Sequence, residues 1–168
     1  NHVLLKEFHH DKQIPYFTNY TKKYTDAPYL VELHEIEGGY RPGQLLRANR
    51  LENYKNIENG DWKFLMWDTA EGRPKMPLGS VGFRWGKEKG KWNLELKDGI
   101  DGSGIDPTLS FLTENDGVVQ ARFDDFAEGR ALLRGVPVRK VQTADGGTAL
   151  VTTAYDLLMA QYGVDRGL

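Results

Sequence analysis

Val138-Arg139-Lys140-Val141-Gln142 and Thr148-Ala149-Leu150-Val151-Thr152 flank Asp145-Gly146, and this stretch reads as two strands around a tight turn. Asp and Gly accept the positive φ values that such a hairpin turn needs. Thr153 follows as an N-cap with Asp156 three positions on, in an arrangement like a capping box, and Gly163 is placed to close the helix in the left-handed conformation. The spacing therefore predicts strand, turn, strand and then a helix over residues 154–162.

A second pair of runs lies upstream. Val81, Phe83 and Trp85 share one face of a period-two strand, Trp92, Leu94 and Leu96 share one face of the next, and residues 86–90 form the turn. The result is expected to be a half-buried hairpin.

Nearer the N-terminus, Val3, Leu4, Leu5 and Phe8 form an apolar stripe, so residues 2–10 read as a helix that begins without an N-cap. A second helix is expected from about Gln13, with Pro15 in its first turn, Ile14, Phe17, Thr21 and Tyr24 on one side, and Asp26 and Pro28 as its stop. Residues 29–34 read as a strand buried mainly on the Leu30 side and ending at Glu37-Gly38-Gly39. Residues 61–68 offer another strand, with Trp62, Phe64 and Met66 on one face and Leu65 and Trp67 on the other. Turn chemistry fills residues 97–107, which are expected to form a surface loop, and residues 109–112 suggest a short strand. Residues 122–134 mix acids with Phe123, Phe126, Leu132 and Leu133, and the pattern does not decide between helix and loop. The fold class is α/β to α+β, with antiparallel hairpins and flanking helices. No repeat or low-complexity tract divides residues 1–168, so a single segment is expected.

Composition narrows the function. A chain of 168 residues is long enough for one ordinary core, and 39% hydrophobic with 27% charged residues describes a globular segment. No run approaches the roughly 20 apolar residues that cross a bilayer. A formal charge of −2 argues against a nucleic-acid partner, because such proteins concentrate Lys and Arg. With no Cys, the chain offers no disulfide and no thiolate for zinc or an iron–sulfur cluster.

Few residues suggest chemistry. His9 and His10 are adjacent, and on a helix their side chains diverge by about 100°, which prevents chelation of one ion. His34, beside Glu32 and Glu35, reads as a surface or subunit-contact histidine. Asp98, Asp101 and Asp106 stand among glycines but fit neither an EF-hand nor a Walker spacing. Asn19-Tyr20-Thr21 matches a glycosylation acceptor inside an expected helix. Trp62, Trp67, Trp85 and Trp92 suggest either core packing or a carbohydrate-stacking sheet, and exposed indoles in a row would favour the second. Arg84, enclosed by Phe83 and Trp85, suits an anion such as nitrate or a pterin phosphate; the ordinary alternative is a structural arginine snorkelling from a strand.

The string from Ser80-Val81-Gly82-Phe83-Arg84-Trp85-Gly86 to Lys91-Trp92-Asn93-Leu94-Glu95-Leu96, with Gly38-Gly39-Tyr40-Arg41-Pro42-Gly43-Gln44 and residues 144–153, resembles the catalytic alpha subunit of membrane-associated respiratory nitrate reductases. These are molybdopterin oxidoreductases of the dimethyl sulfoxide reductase class. The likeness extends over nearly the whole chain, including residues 17–33 and 155–168, and is weakest over 53–78 and 99–130.

The resemblance implies an internal fragment of a subunit that reduces nitrate to nitrite at molybdenum held by two pyranopterin guanine dinucleotides, with a 4Fe-4S cluster as electron relay. In that family the molybdenum-ligating Asp and the His and Cys ligands of the first cluster lie N-terminal to the part represented here, so no position inherits those roles. Catalytic and metal-ligating residues are therefore assigned to none, and Arg84 alone is a candidate cofactor-side residue. The implied partners are an iron–sulfur beta subunit, a haem b membrane anchor and the rest of the alpha subunit, at the cytoplasmic face of the membrane. Selenate, chlorate, perchlorate or nitrite are alternative substrates, and a free-standing carbohydrate-binding module is the alternative class. A segment of this kind is expected to leave an apolar face exposed where its neighbours would sit, with Trp62, Trp67 and the Leu4 stripe as candidates.

Overall fold

The structure is a computed structural model that describes residues 15–77, 96–125 and 128–168. Helix α1 (Pro15–Tyr24) leads into β1 (Leu30–Ile36) and β2 (Gly39–Leu45). Three short 3-10 turns then precede the small hairpin of β3 (Met66–Asp68) and β4 (Arg73–Lys75). The chain continues through β5 (Gly117–Asp125), β6 (Arg130–Gln142) and β7 (Thr148–Thr153) into helix α2 (Ala154–Gln161).

Five strands close into a barrel in the order β1-β2-β5-β6-β7. Closure removes the free edges that an open sheet would leave. All neighbours are antiparallel except β2 and β5, which run parallel and pair at Tyr40 and Ala121. Gly39 permits that close approach, since a Cβ there would lie 2.6 Å from the Gln120 carbonyl oxygen. This is a mixed α and β architecture with antiparallel hairpins and flanking helices, and its sheet is a barrel rather than an open layer.

The β6–β7 hairpin forms as the sequence dictates, pairing Arg139 with Val151 and Gln142 with Thr148. Gly146 takes φ 82°, and the Thr143 and Gly147 main chains bond across the turn. The Thr153 hydroxyl accepts from the Asp156 N–H at 3.0 Å, and Gly163 takes φ 65° beyond the end of α2.

Residues 122–134 are neither helix nor loop at their two ends, but arms of the β5–β6 hairpin, pairing Phe123 with Leu132 and Asp125 with Arg130. Ala121 and Phe123 are buried while Arg122 and Asp124 are exposed, so a period of two was present but hidden by the density of acids. The expected strand over 61–68 shrinks to its last three residues, preceded by a 3-10 turn at Gly60–Trp62. Residues 109–112 form no strand; Phe111 is buried as an irregular segment. In α1 the buried side is Thr21, with Phe17 and Thr18 half-buried, and Tyr24 lies on the exposed side. The expected helix at 2–10 and nearly all of the hairpin at 80–96 lie outside the described residues.

The main core gathers Leu30, Leu46, Leu51, Leu65, Trp67, Phe111 and Val151. At its centre the main chains of three leucines form a closed ring. Leu30 N–H donates to Leu65 O at 3.0 Å, Leu65 N–H to Leu46 O at 3.2 Å, and Leu46 N–H to Leu30 O at 2.7 Å. This satisfies backbone groups of three buried residues, at the start of β1, just after β2 and just before β3.

Candidate functional site

Two buried charged clusters and one cation–aromatic stack hold the irregular parts of the chain. The first is built on the β3–β4 hairpin. Lys75 and Asp68 are both fully buried, and their charged atoms lie 3.2 Å apart. The Lys75 ammonium also donates to Glu71 at 2.5 Å, Ser103 Oγ at 3.0 Å and the Gly104 carbonyl at 3.1 Å. Asp68 accepts from the N–H groups of Asp106 at 2.7 Å and Glu71 at 3.1 Å. Burial pushes the Asp68 carboxyl up, but its hydrogen bonds and Lys75 outweigh that and hold it below the usual carboxylate range. For Lys75 burial pulls the ammonium down, while Glu71 and Asp68 raise it on balance. Nearby, burial and the Asp98 charge push the Tyr54 phenol up to about 12, against the opposing Arg73; its hydroxyl donates to the Pro74 carbonyl at 2.8 Å.

The second cluster joins α2 to two loops. Asp156 is fully buried and accepts from Ser110 Oγ at 2.6 Å, Phe111 N–H at 2.8 Å and Arg166 Nη1 at 2.6 Å. The Arg166 side chain is itself only 2% exposed, and its second nitrogen donates to the Asp156 carbonyl at 3.2 Å. Asp156 thus does more than occupy the third position of a cap: its side chain faces the tertiary structure. The third feature is Arg139, whose guanidinium lies 5.2 Å from the Trp67 ring and pairs with Glu114 at 2.7 Å and Asp116 at 3.2 Å. Trp67 in turn meets Phe111 edge-on, with ring centroids 5.5 Å apart.

The candidates from the sequence fall elsewhere. Arg84, His9 and His10 lie outside the described residues. His34 is exposed, its ring packed against Gly43, where an added Cβ would come within 2.3 Å of Nε2. The three loop aspartates do not converge: Asp98 accepts from Met76 N–H at 2.8 Å, Asp101 from Ser103 N–H at 2.8 Å, and Asp106 pairs with Lys22 at 2.5 Å. Asp98 is buried, so the loop over 97–107 is fastened inward rather than lying wholly on the surface. Thr21 of the glycosylation match is buried in α1 and donates to the Phe17 carbonyl. Trp67 is core and Trp62 is 50% exposed, so the described indoles do not form an exposed row.

Among the described residues no three His, Cys, Asp or Glu side chains come together to hold a metal ion. The clusters are saturated ion pairs, suited to fixing loops against the barrel. Sequence reading missed Lys75, Asp68, Arg139 and Arg166, and the available signal was slight: Glu71 and Lys75 stand four apart, but nothing local marks Lys75 as buried.

No family model matches the chain. It is 45% identical to the respiratory nitrate reductase 1 alpha chain of Escherichia coli (strain K12) over 179 aligned residues, which takes in 99% of this chain and 14% of that protein. The respiratory nitrate reductase 2 alpha chain of the same strain is 40% identical, and the nitrate reductase alpha chain of Bacillus subtilis (strain 168) 34% identical, each over 99% of this chain. The chain spans about one seventh of the length of these relatives. Along nearly its whole length, then, it is homologous to a segment of nitrate reductase alpha chains.

Proposed function

We propose that this chain is a structural segment of the catalytic subunit of a respiratory nitrate reductase, and that the whole protein reduces nitrate to nitrite. The observation that carries this reading is the match over 99% of the chain, at 34–45% identity, to nitrate reductase alpha chains from different bacteria. The proposal extends to a molybdenum bis(pyranopterin guanine dinucleotide) group and a 4Fe-4S cluster in the whole subunit, within a dimethyl sulfoxide reductase-like fold. The described residues do not fit either group as ligands: the chain has no Cys, and no suitable donor set converges among them.

The contribution of this segment is architectural. Its barrel is tied to the irregular segments of the chain by the two buried clusters. An iron–sulfur beta subunit, a haem b anchor and a position at the cytoplasmic face of the membrane belong to the same proposal. Among the described residues no helix is long and apolar enough to cross a membrane, which fits attachment through partners. Arg84 belongs to the proposal as a residue near the cofactor or the substrate channel, tested by a raised KM for nitrate in Arg84→Ala.

The test is expression of the full reading frame with its neighbouring subunit genes under anaerobic conditions. Nitrite formation from nitrate with a reduced viologen donor is expected. A purified, molybdenum-loaded enzyme that ignores nitrate but turns over selenate or chlorate would overturn the substrate assignment.

A further inference from the structure

Helix α1 carries an interface pattern on the side that faces solvent. Tyr16, Asn19, Tyr20, Lys23 and Tyr24 are all exposed, and their spacing of three and four residues places them on one stripe of the helix. Such a stripe ordinarily faces a core; here the opposite side, at Thr21, does so. Tyr16 is 81% exposed, Tyr24 53% and Tyr20 48%, and the Tyr20 and Tyr24 rings lie 5.1 Å apart. Two large aromatic rings side by side in water, with a third exposed one turn before them on the same stripe, each ending in a hydroxyl, have the composition of a contact surface that is part apolar and part hydrogen-bonded.

We infer that this tyrosine stripe is a docking face for another segment of the same polypeptide, one offering apolar side chains to the rings and carbonyl or carboxylate acceptors to the hydroxyls and to Lys23. The inference rests on the reading that the chain is part of a longer catalytic subunit. The occupant follows from length: the relatives continue far beyond the matched 13–14%, so most of the polypeptide available to cover α1 lies outside this chain. A partner within one polypeptide also has the high effective concentration that lets a single helix face bind without a large interface.

The experiment uses the purified full-length catalytic subunit without other subunits. A photo-crosslinking amino acid, p-benzoylphenylalanine, replaces Tyr20 in one variant and Tyr24 in a second, and the unsubstituted subunit is nitrated with tetranitromethane. Irradiation should give a product of monomer mass whose crosslinked peptides come from outside residues 1–168. Tyr16, Tyr20 and Tyr24 should be nitrated at least tenfold more slowly than in the urea-unfolded subunit. A product at the mass of two subunits, a crosslink only within residues 1–168, or no crosslink with free nitration would overturn the inference. Nitrite formation is measured on the assembled enzyme, so failure of the nitrate reductase reading shows separately from failure of the docking face.

Discussion

The Asp156–Arg166 pair is the place where one substitution should reveal how α2 is held. In Asp156→Ala the Arg166 guanidinium, only 2% exposed, keeps its charge and loses its carboxylate partner at 2.6 Å. The Phe111 N–H loses its 2.8 Å acceptor and the Ser110 hydroxyl its 2.6 Å acceptor. Breaking one side of a buried pair costs about 3–5 kcal/mol, and an orphaned buried N–H adds about 1–3 kcal/mol. Against a domain stability of roughly 5–15 kcal/mol, this is a large fraction. Arg166→Met should cost less, because Asp156 keeps Ser110 and Phe111. In Asp156→Ala/Arg166→Met no buried charge is left unpaired, so the double variant should be more stable than the sum of the singles by about 1–3 kcal/mol. Urea unfolding followed by tryptophan fluorescence measures all three, since Trp67 packs on Phe111 beside the pair. A single Asp156→Ala loss below about 1 kcal/mol, or strict additivity in the cycle, would refute the view that this is a coupled buried pair.

The cluster around Asp68 and Lys75 sets a pH window. Asp68 titrates below its unfolded value and Lys75 above its own, so their contribution is complete between about pH 5 and 10, fades as pH falls through the Asp68 native value, and fades again as pH rises through that of Lys75. Thermal unfolding across pH 2–12 should show that plateau, and Asp68→Asn should flatten its acid limb. Gly39→Ala pushes a methyl against the Gln120 carbonyl 2.6 Å away. It should destabilise by about 1–3 kcal/mol, and hydrogen exchange should quicken first in β2 and β5; unchanged protection there would argue against the close approach. Thr153→Ala removes both the cap to Asp156 N–H and the 2.8 Å bond to the Leu109 carbonyl. A loss of about 1 kcal/mol or more in urea unfolding is expected, with Thr153→Ser recovering most of it.

The local grammar of the C-terminal third was legible because each signal acts within a few residues. Asp145-Gly146 specifies a turn wherever it stands, and the Thr153 hydroxyl meets an N–H three residues away. The family resemblance was carried by short strings such as Gly38-Gly39-Tyr40-Arg41-Pro42-Gly43, and the relatives bear it out across the chain. Residues 122–134 were not legible, because exposed acids such as Asp124 and Glu128 mask the alternation of two arms whose strand form depends on pairing with each other and, through β5, with β2.

What the chain determines alone is therefore the set of short-range elements, the β6–β7 hairpin and the capped helix after it, together with kinship. Closure of the barrel through the parallel contact of Tyr40 with Ala121, the leucine ring, and the burial of Lys75, Asp156 and Arg166 were decided only in three dimensions. The reason is physical. A turn or a cap is settled by neighbours along the chain, whereas a charged side chain is driven inside only when partners from distant segments arrive to replace its water.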